Sequence, residues 1–114
     1  MYRKNYKIKP EQIEDLVPGM GYCLATDKII TDGEPVGYMF REDREDDSDS
    51  GWRFFSGTED EEYTENEENF GMYDVNTIAN YDRSILPFLK HPVGTELERN
   101  EETGKWQKVI YEDE

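Results

Sequence analysis

Between Glu42 and Glu68 the chain carries thirteen Asp and Glu residues against two arginines, Arg44 and Arg53, so this segment holds −11 of a formal net charge of −15. Self-repulsion at that density works against a compact state. Folding alone therefore gives no reason to keep such a segment. The same charge excludes classes of partner, because nucleic acid and anionic membrane both repel such a surface. It does not make the chain disordered. Aromatic residues are 13% of the 114 residues, with 8 Tyr, 5 Phe and 2 Trp, enough for one modest core.

Absences narrow the class further. No run approaches the roughly 18 apolar residues of a membrane span. Met1 to Lys9 is basic but has no apolar stretch behind it, unlike a secretory signal. A single cysteine, Cys23, has no internal disulfide partner and fits a cytoplasmic location. A single histidine, His91, excludes a multi-histidine metal site. There is no P-loop, no GxGxxG and no CxxC.

The hydrophobic pattern predicts a short helix over 10–17, with Pro10 in its first turn, an Ile13/Leu16/Val17 face, and Pro18-Gly19 as its stop. Residues 21–25 read as a strand that Lys28-Ile-Ile30 continues or follows. Asp32-Gly33, in the turn 31–35, is a hairpin signal before a strand over 36–41. Trp52-Arg-Phe-Phe-Ser56 is a third strand, and the acidic stretches before and after it are expected to share one rim. Asp74 and Asp82 are candidate caps of two short helices, the second limited by Pro87 and having Ile85, Leu86 and Leu89 on its buried side. Val93–Arg99 and Lys105–Tyr111 read as a terminal hairpin turning at 100–104. The expected fold is a small α+β domain, mainly antiparallel sheet with two or three short helices. The chain reads as a single domain over 1–114, with a basic leader at 1–9 and, over 101–114, the end of the terminal hairpin and an acidic tail.

The side chains offer little catalytic chemistry. Cys23 lies in an apolar strand, as a small core residue does. His91 stands at a predicted helix end, where a cation favours the dipole. Asp46-Asp-Ser-Asp-Ser-Gly51 superficially resembles a calcium loop, but aligning its glycine puts Gly57 where a bidentate Glu is required. The aromatic set Tyr38, Phe40, Trp52, Phe54, Phe55 and Tyr73 is most simply core, with one or two members left for exposure beside the acidic loops. No catalytic residue, no metal site and no cofactor is therefore expected. A docking surface for a basic protein is the functional reading of the acidic loops, and solvated solubility loops are the alternative. On the docking reading Asp46, Asp47, Asp49, Glu59, Asp60, Glu61 and Glu62 form an electrostatic rim with Tyr63 as its anchor.

Four blocks in order carry a resemblance: Gly37-Tyr-Met-Phe-Arg-Glu42, Ser50-Gly-Trp-Arg-Phe-Phe-Ser-Gly57, Tyr73-Asp-Val-Asn-Thr-Ile-Ala-Asn-Tyr-Asp82 and Val93-Gly-Thr-Glu-Leu-Glu-Arg99. Together, over roughly residues 21–100, they resemble immunity-protein family thirty-three of bacterial polymorphic toxin systems, first catalogued as a domain of unknown function. The resemblance implies a cytoplasmic antitoxin that binds a cognate toxin domain and blocks it without chemistry of its own. It transfers no catalytic residue. The partner expected is thus a protein, a basic toxin domain, with no nucleic acid and no membrane. An acidic regulatory or scaffold module without a toxin neighbour is the competing reading. Oligomeric state is not legible.

Overall fold

The computed structural model describes residues 5–109. Six short strands form one sheet: β1 (Tyr22–Thr26), β2 (Tyr38–Arg41), β3 (Asp49–Phe55), β4 (Phe70–Asp74), β5 (Glu96–Arg99) and β6 (Trp106–Lys108). Their spatial order is β4-β1-β3-β2-β5-β6. β1 and β3 run parallel, and every other neighbouring pair is antiparallel. Three short α-helices accompany the sheet: α1 (Asp27–Ile30), α2 (Glu61–Glu65) and α3 (Val75–Tyr81). Single 3₁₀ segments occupy Pro10–Gln12, Glu67–Asn69 and Arg83–Phe88. This is the small α+β fold that the sequence predicts.

Pleating sorts the strand residues onto two faces, because side chains alternate and directly paired residues share a side. On one face lie Cys23 and Ala25 of β1, Trp52 and Phe54 of β3, Met39 of β2 and Leu97 of β5, all buried in one cluster. Ile29 and Ile30 of α1, Val75, Ile78 and Ala79 of α3, and Ile85 and Leu89 complete that cluster. The Trp52 and Phe54 rings stack at 6.0 Å, and Trp52 Nε1 donates to the Leu89 carbonyl at 3.0 Å. The indole is thus buried with its one polar group satisfied.

The opposite face carries two cross-strand rows. The first runs Met72, Leu24, Arg53, Phe40, Glu96. The second is built from Phe70 beside Thr26, then Phe55, Tyr38, Glu98 and Gln107. Tyr38, Phe40 and Phe55 are therefore not part of the helix-covered core. They contact one another at ring separations of 5.7–6.0 Å and remain partly exposed. The all-core expectation for the aromatic set fails at these three positions, half of the set rather than one or two members.

Three local expectations are also corrected. Residues 31–35 do turn, but they do not join a hairpin: Gly33, at φ +76°, donates from its N–H to the Ile29 carbonyl and ends α1. β3 then inserts between β1 and β2. Residues 10–17 form only one 3₁₀ turn. The Leu16 and Val17 amides both donate to Asn76 Oδ1, at 2.7 and 2.8 Å, and Asn76 Nδ2 and Asn80 Nδ2 each donate to the Glu14 carbonyl at 2.9 Å. Two amides one helical turn apart on α3 thus claim the backbone groups that a helix would have used internally.

The third correction concerns the acidic stretches. One joins β2 to β3 and the other joins β3 to β4, so they lie at opposite ends of β3, about 20 Å apart at 3.3 Å per residue. They do not share a rim. The predicted caps are present: Asp74 Oδ1 accepts from Asn76 N–H at 2.9 Å, and Asp82 Oδ1 from Ser84 N–H at 3.0 Å. The Arg83–Phe88 segment that comes next is 3₁₀, as Pro87 requires. In the terminal hairpin Trp106 faces the helix side, with Phe88 at 6.2 Å and the Arg99 guanidinium 4.9 Å from its ring. Ile110 and Tyr111, expected in its last strand, lie outside the described residues.

Candidate functional site

The first acidic loop, residues 42–48, is shaped by its own carboxylates. Asp46 Oδ1 accepts from the N–H groups of Ser48 and Asp49, at 2.8 and 3.1 Å, and Asp46 Oδ2 accepts from the Tyr22 hydroxyl at 3.1 Å. Gly51 closes the loop at φ +87°, where a Cβ would meet the Glu42 carbonyl oxygen at 2.4 Å. Only glycine fits that approach. Glu42, Asp43, Glu45, Asp46 and Asp47 are exposed.

Asp49 is not on this surface. It is 2% exposed, and both of its oxygens accept from Arg53, Oδ1 from Nη1 at 3.0 Å and Oδ2 from Nη2 at 2.8 Å. Backbone N–H groups of Glu45 and Gly51 donate to the same carboxylate, at 2.9 and 2.8 Å. Arg53 Nε completes the network on Glu42 Oε2 at 2.6 Å. The bidentate Arg53 bond, then the two backbone donors, hold the Asp49 carboxyl well below the usual carboxylate range, against the opposing effect of burial. Asp49 in turn raises the Arg53 guanidinium above its ordinary value. The pair is a folding device that fixes the start of β3.

The second acidic stretch, residues 56–69, is pinned by Glu59. Its carboxylate accepts from Thr26 Oγ1 at 2.5 Å and from the N–H groups of Ser56 and Gly57 at 2.9 Å each. Burial pushes this carboxyl up, but these donors outweigh it and the group sits below its ordinary value. Asp60 caps α2, accepting from Tyr63 N–H at 2.8 Å. Glu61 and Glu62, in the first turn of α2, are exposed and favour its N-terminal dipole. Tyr63 is partly buried, with Lys28 Nζ 5.3 Å from its ring centroid. Desolvation, then nearby Asp27, push its hydroxyl up to about 12.

The eight residues of the expected rim therefore fall into two groups at two ends of the sheet. Asp46, Asp47, Asp60, Glu61 and Glu62 present charge to solvent. Asp49 and Glu59 hold their loops in shape, and Tyr63 packs on Lys28. Sequence reasoning missed the uncovered aromatic rows between the two loops. Their signal is the alternation of Tyr38 and Phe40 against Met39, and Arg53 standing between Trp52 and Phe54.

The two candidate catalytic side chains are used otherwise. Cys23 is fully buried, and burial pushes its thiol up, away from the reactive thiolate. His91 ends no α-helix. Its carbonyl accepts from Arg41 Nη1 at 2.8 Å and its ring meets Phe88 edge-on at 5.6 Å. Among the described residues, no group of three or more His, Cys, Asp or Glu is arranged to hold a metal ion. Among the same residues no helix is long and apolar enough to cross a membrane.

The described residues thus form a small mixed sheet with α1 and α3 packed on one face and an acidic loop at each end of β3. Comparison with family models gives the chain a family: the immunity protein Imm33 domain matches residues 23–110. The chain belongs to this immunity-protein family, the one that the four sequence blocks resemble. Among curated proteins and solved structures, nothing matches the chain.

Proposed function

We propose that this protein is a non-catalytic immunity protein that binds the toxin domain encoded beside its gene, in the cytoplasm, and blocks it. The observation that carries the reading is the Imm33 family match over residues 23–110. The net charge of −15 supports a basic partner. Toxins that attack nucleic acid need a cationic active site, and clustered carboxylates imitate the phosphate backbone such a site holds. In this reading Asp46 and Asp47 at one end, and Asp60, Glu61 and Glu62 at the other, steer the toxin by long-range attraction. Asp49, Glu59 and Tyr63 contribute by fixing the loops that carry those charges.

The test is co-expression with the C-terminal toxin domain of the neighbouring gene. Growth should stop when the toxin domain is expressed alone and resume when this protein accompanies it. Killing that proceeds equally in its presence contradicts the proposal.

A further inference from the structure

We infer that the uncovered face of the sheet is the docking surface, and that it takes a cationic protein surface projecting an apolar side chain toward Tyr38. The inference deepens the proposed function and rests on it. Among the described residues α1 and α3 leave this face open: their buried apolar residues all belong to the core on the other side. The open side is apolar for a surface. Leu24, Tyr38, Phe40, Phe55 and Phe70 are each partly exposed, and Met72 is 63% exposed. The Phe70 and Phe55 rings meet edge-on at 5.8 Å, which extends the aromatic contact from β2 across to β4. Contiguous exposed patches of this kind mark interaction sites.

Arg53 stands in the middle of the face but does not make it cationic. Its side chain is 4% exposed and is held by Asp49 and Glu42. On β5 the two rows carry Glu96 and Glu98, and the Tyr38 hydroxyl donates to Glu96. The acidic loops lie beyond the two ends of β3. An aromatic centre inside an acidic perimeter is the anatomy of a hot spot with a steering rim. Tyr38 forms a ridge between two open grooves. One, of about 590 Å³, runs between Phe55, Gly57, Glu98 and Asn100. The other, of about 470 Å³, runs between Phe40, Glu42, Val93 and Glu96.

Charge selects the occupant. A second copy would set a −15 surface against another, and nucleic acid or anionic lipid meets the same repulsion. A basic protein surface meets attraction on three sides. Size points the same way. A six-stranded face spans about 24 Å across at 4.8 Å per strand, and about 17 Å along, close to half of the roughly 800 Å² that a standard interface buries per partner. The end loops supply the remainder, so the centre and the rim belong to one interface.

The test measures affinity for the toxin domain encoded beside the gene, by calorimetry, with four variants. Phe40→Ala and the pair Glu96→Lys/Glu98→Lys should each weaken binding by at least about 30-fold. Met72→Arg alters an exposed side chain without touching the core, so its weakened binding cannot be ascribed to misfolding. The pair Glu11→Lys/Asp15→Lys makes the same change in net charge on the strap that packs against α3, and should weaken binding by less than about threefold. If the unaltered protein binds the toxin domain but the open-face variants bind as tightly as it does, this inference is overturned while the proposed function stands. If the unaltered protein does not bind the toxin domain, the proposed function falls and this inference with it.

Discussion

The two faces of this sheet are made by the same strands and are almost equally aromatic, yet only one is a core. Trp52 and Phe54 point to one side and are fully buried; Arg53 and Phe55, their immediate neighbours, point to the other. The difference lies in where the chain goes after each strand. α1 and α3 both return over the Trp52 side, where Ile29, Ile30, Val75 and Ile78 complete the packing. Among the described residues neither α1 nor α3 returns over Phe40 and Phe55, and the acidic loops that lead away from β3 meet this face only at its two ends, where Glu42 accepts from Arg53 and Glu59 from Thr26. Aromatic content therefore says that a surface wants to be covered. The chain's own connections decide whether the cover comes from within.

The comparison breaks most visibly under truncation. Trp52→Ala should cost about 3–5 kcal/mol in urea unfolding, since it opens a cavity and removes the indole donor from the Leu89 carbonyl. Phe40→Ala, on the partly exposed face, should cost only about 1–2 kcal/mol. Equal losses at the two positions would mean that both faces are core.

Arg53 sharpens the contrast, as it is the one buried cation on the open side among the described residues. Arg53→Ala leaves the Asp49 carboxylate buried and unpaired, and should cost about 3 kcal/mol or more. Pairing Arg53→Met with Asp49→Leu should recover most of that loss, because the desolvation penalty goes with the charges. A double variant no more stable than Arg53→Ala would show that the bidentate bond itself, and not the avoidance of a lone charge, holds β3 in place.

Acid gives a smaller, graded effect. Asp49 and Glu59 both have folded carboxyls below their ordinary values. A group depressed in the folded state contributes stability that is fully present above its unfolded pKa, near 4, and is lost as pH falls through the folded value. Unfolding free energy should therefore drop on acidification below about pH 4. In Asp49→Asn the drop below pH 4 should flatten. An unchanged acid limb in that variant would assign acid unfolding to other carboxylates.

Much of the fold is legible in the sequence, and the parts that are not share a cause. The strands β1, β2, β3 and β5 and the caps Asp74 and Asp82 can be read locally, because alternation and capping depend on near neighbours. The predicted helix over 10–17 fails because Asn76 and Asn80, some sixty residues away, bind its backbone. The predicted hairpin at Asp32-Gly33 fails because β3 takes the place beside β1, a choice made by non-local pairing. The rim is legible as charge but not as geometry. Asp49 cannot be told from Asp47 by composition, and only the bidentate pairing with Arg53, four residues on, makes one buried and leaves the other exposed. The open aromatic rows are hidden for the same reason: alternation names two faces but not the one that the helices will cover.

On the proposed function, surface carboxylates at both ends of the sheet guide a basic toxin onto the face between them. Stopped-flow association of this protein with the toxin domain encoded beside its gene, followed across ionic strength, tests this most directly. The rate constant should fall at least about tenfold between about 0.02 and 0.5 M salt, and reversing Asp46, Asp47, Glu61 and Glu62 to lysine should lower it at low salt and flatten the dependence. A rate that is indifferent both to salt and to those four reversals would show that charge does not guide the encounter.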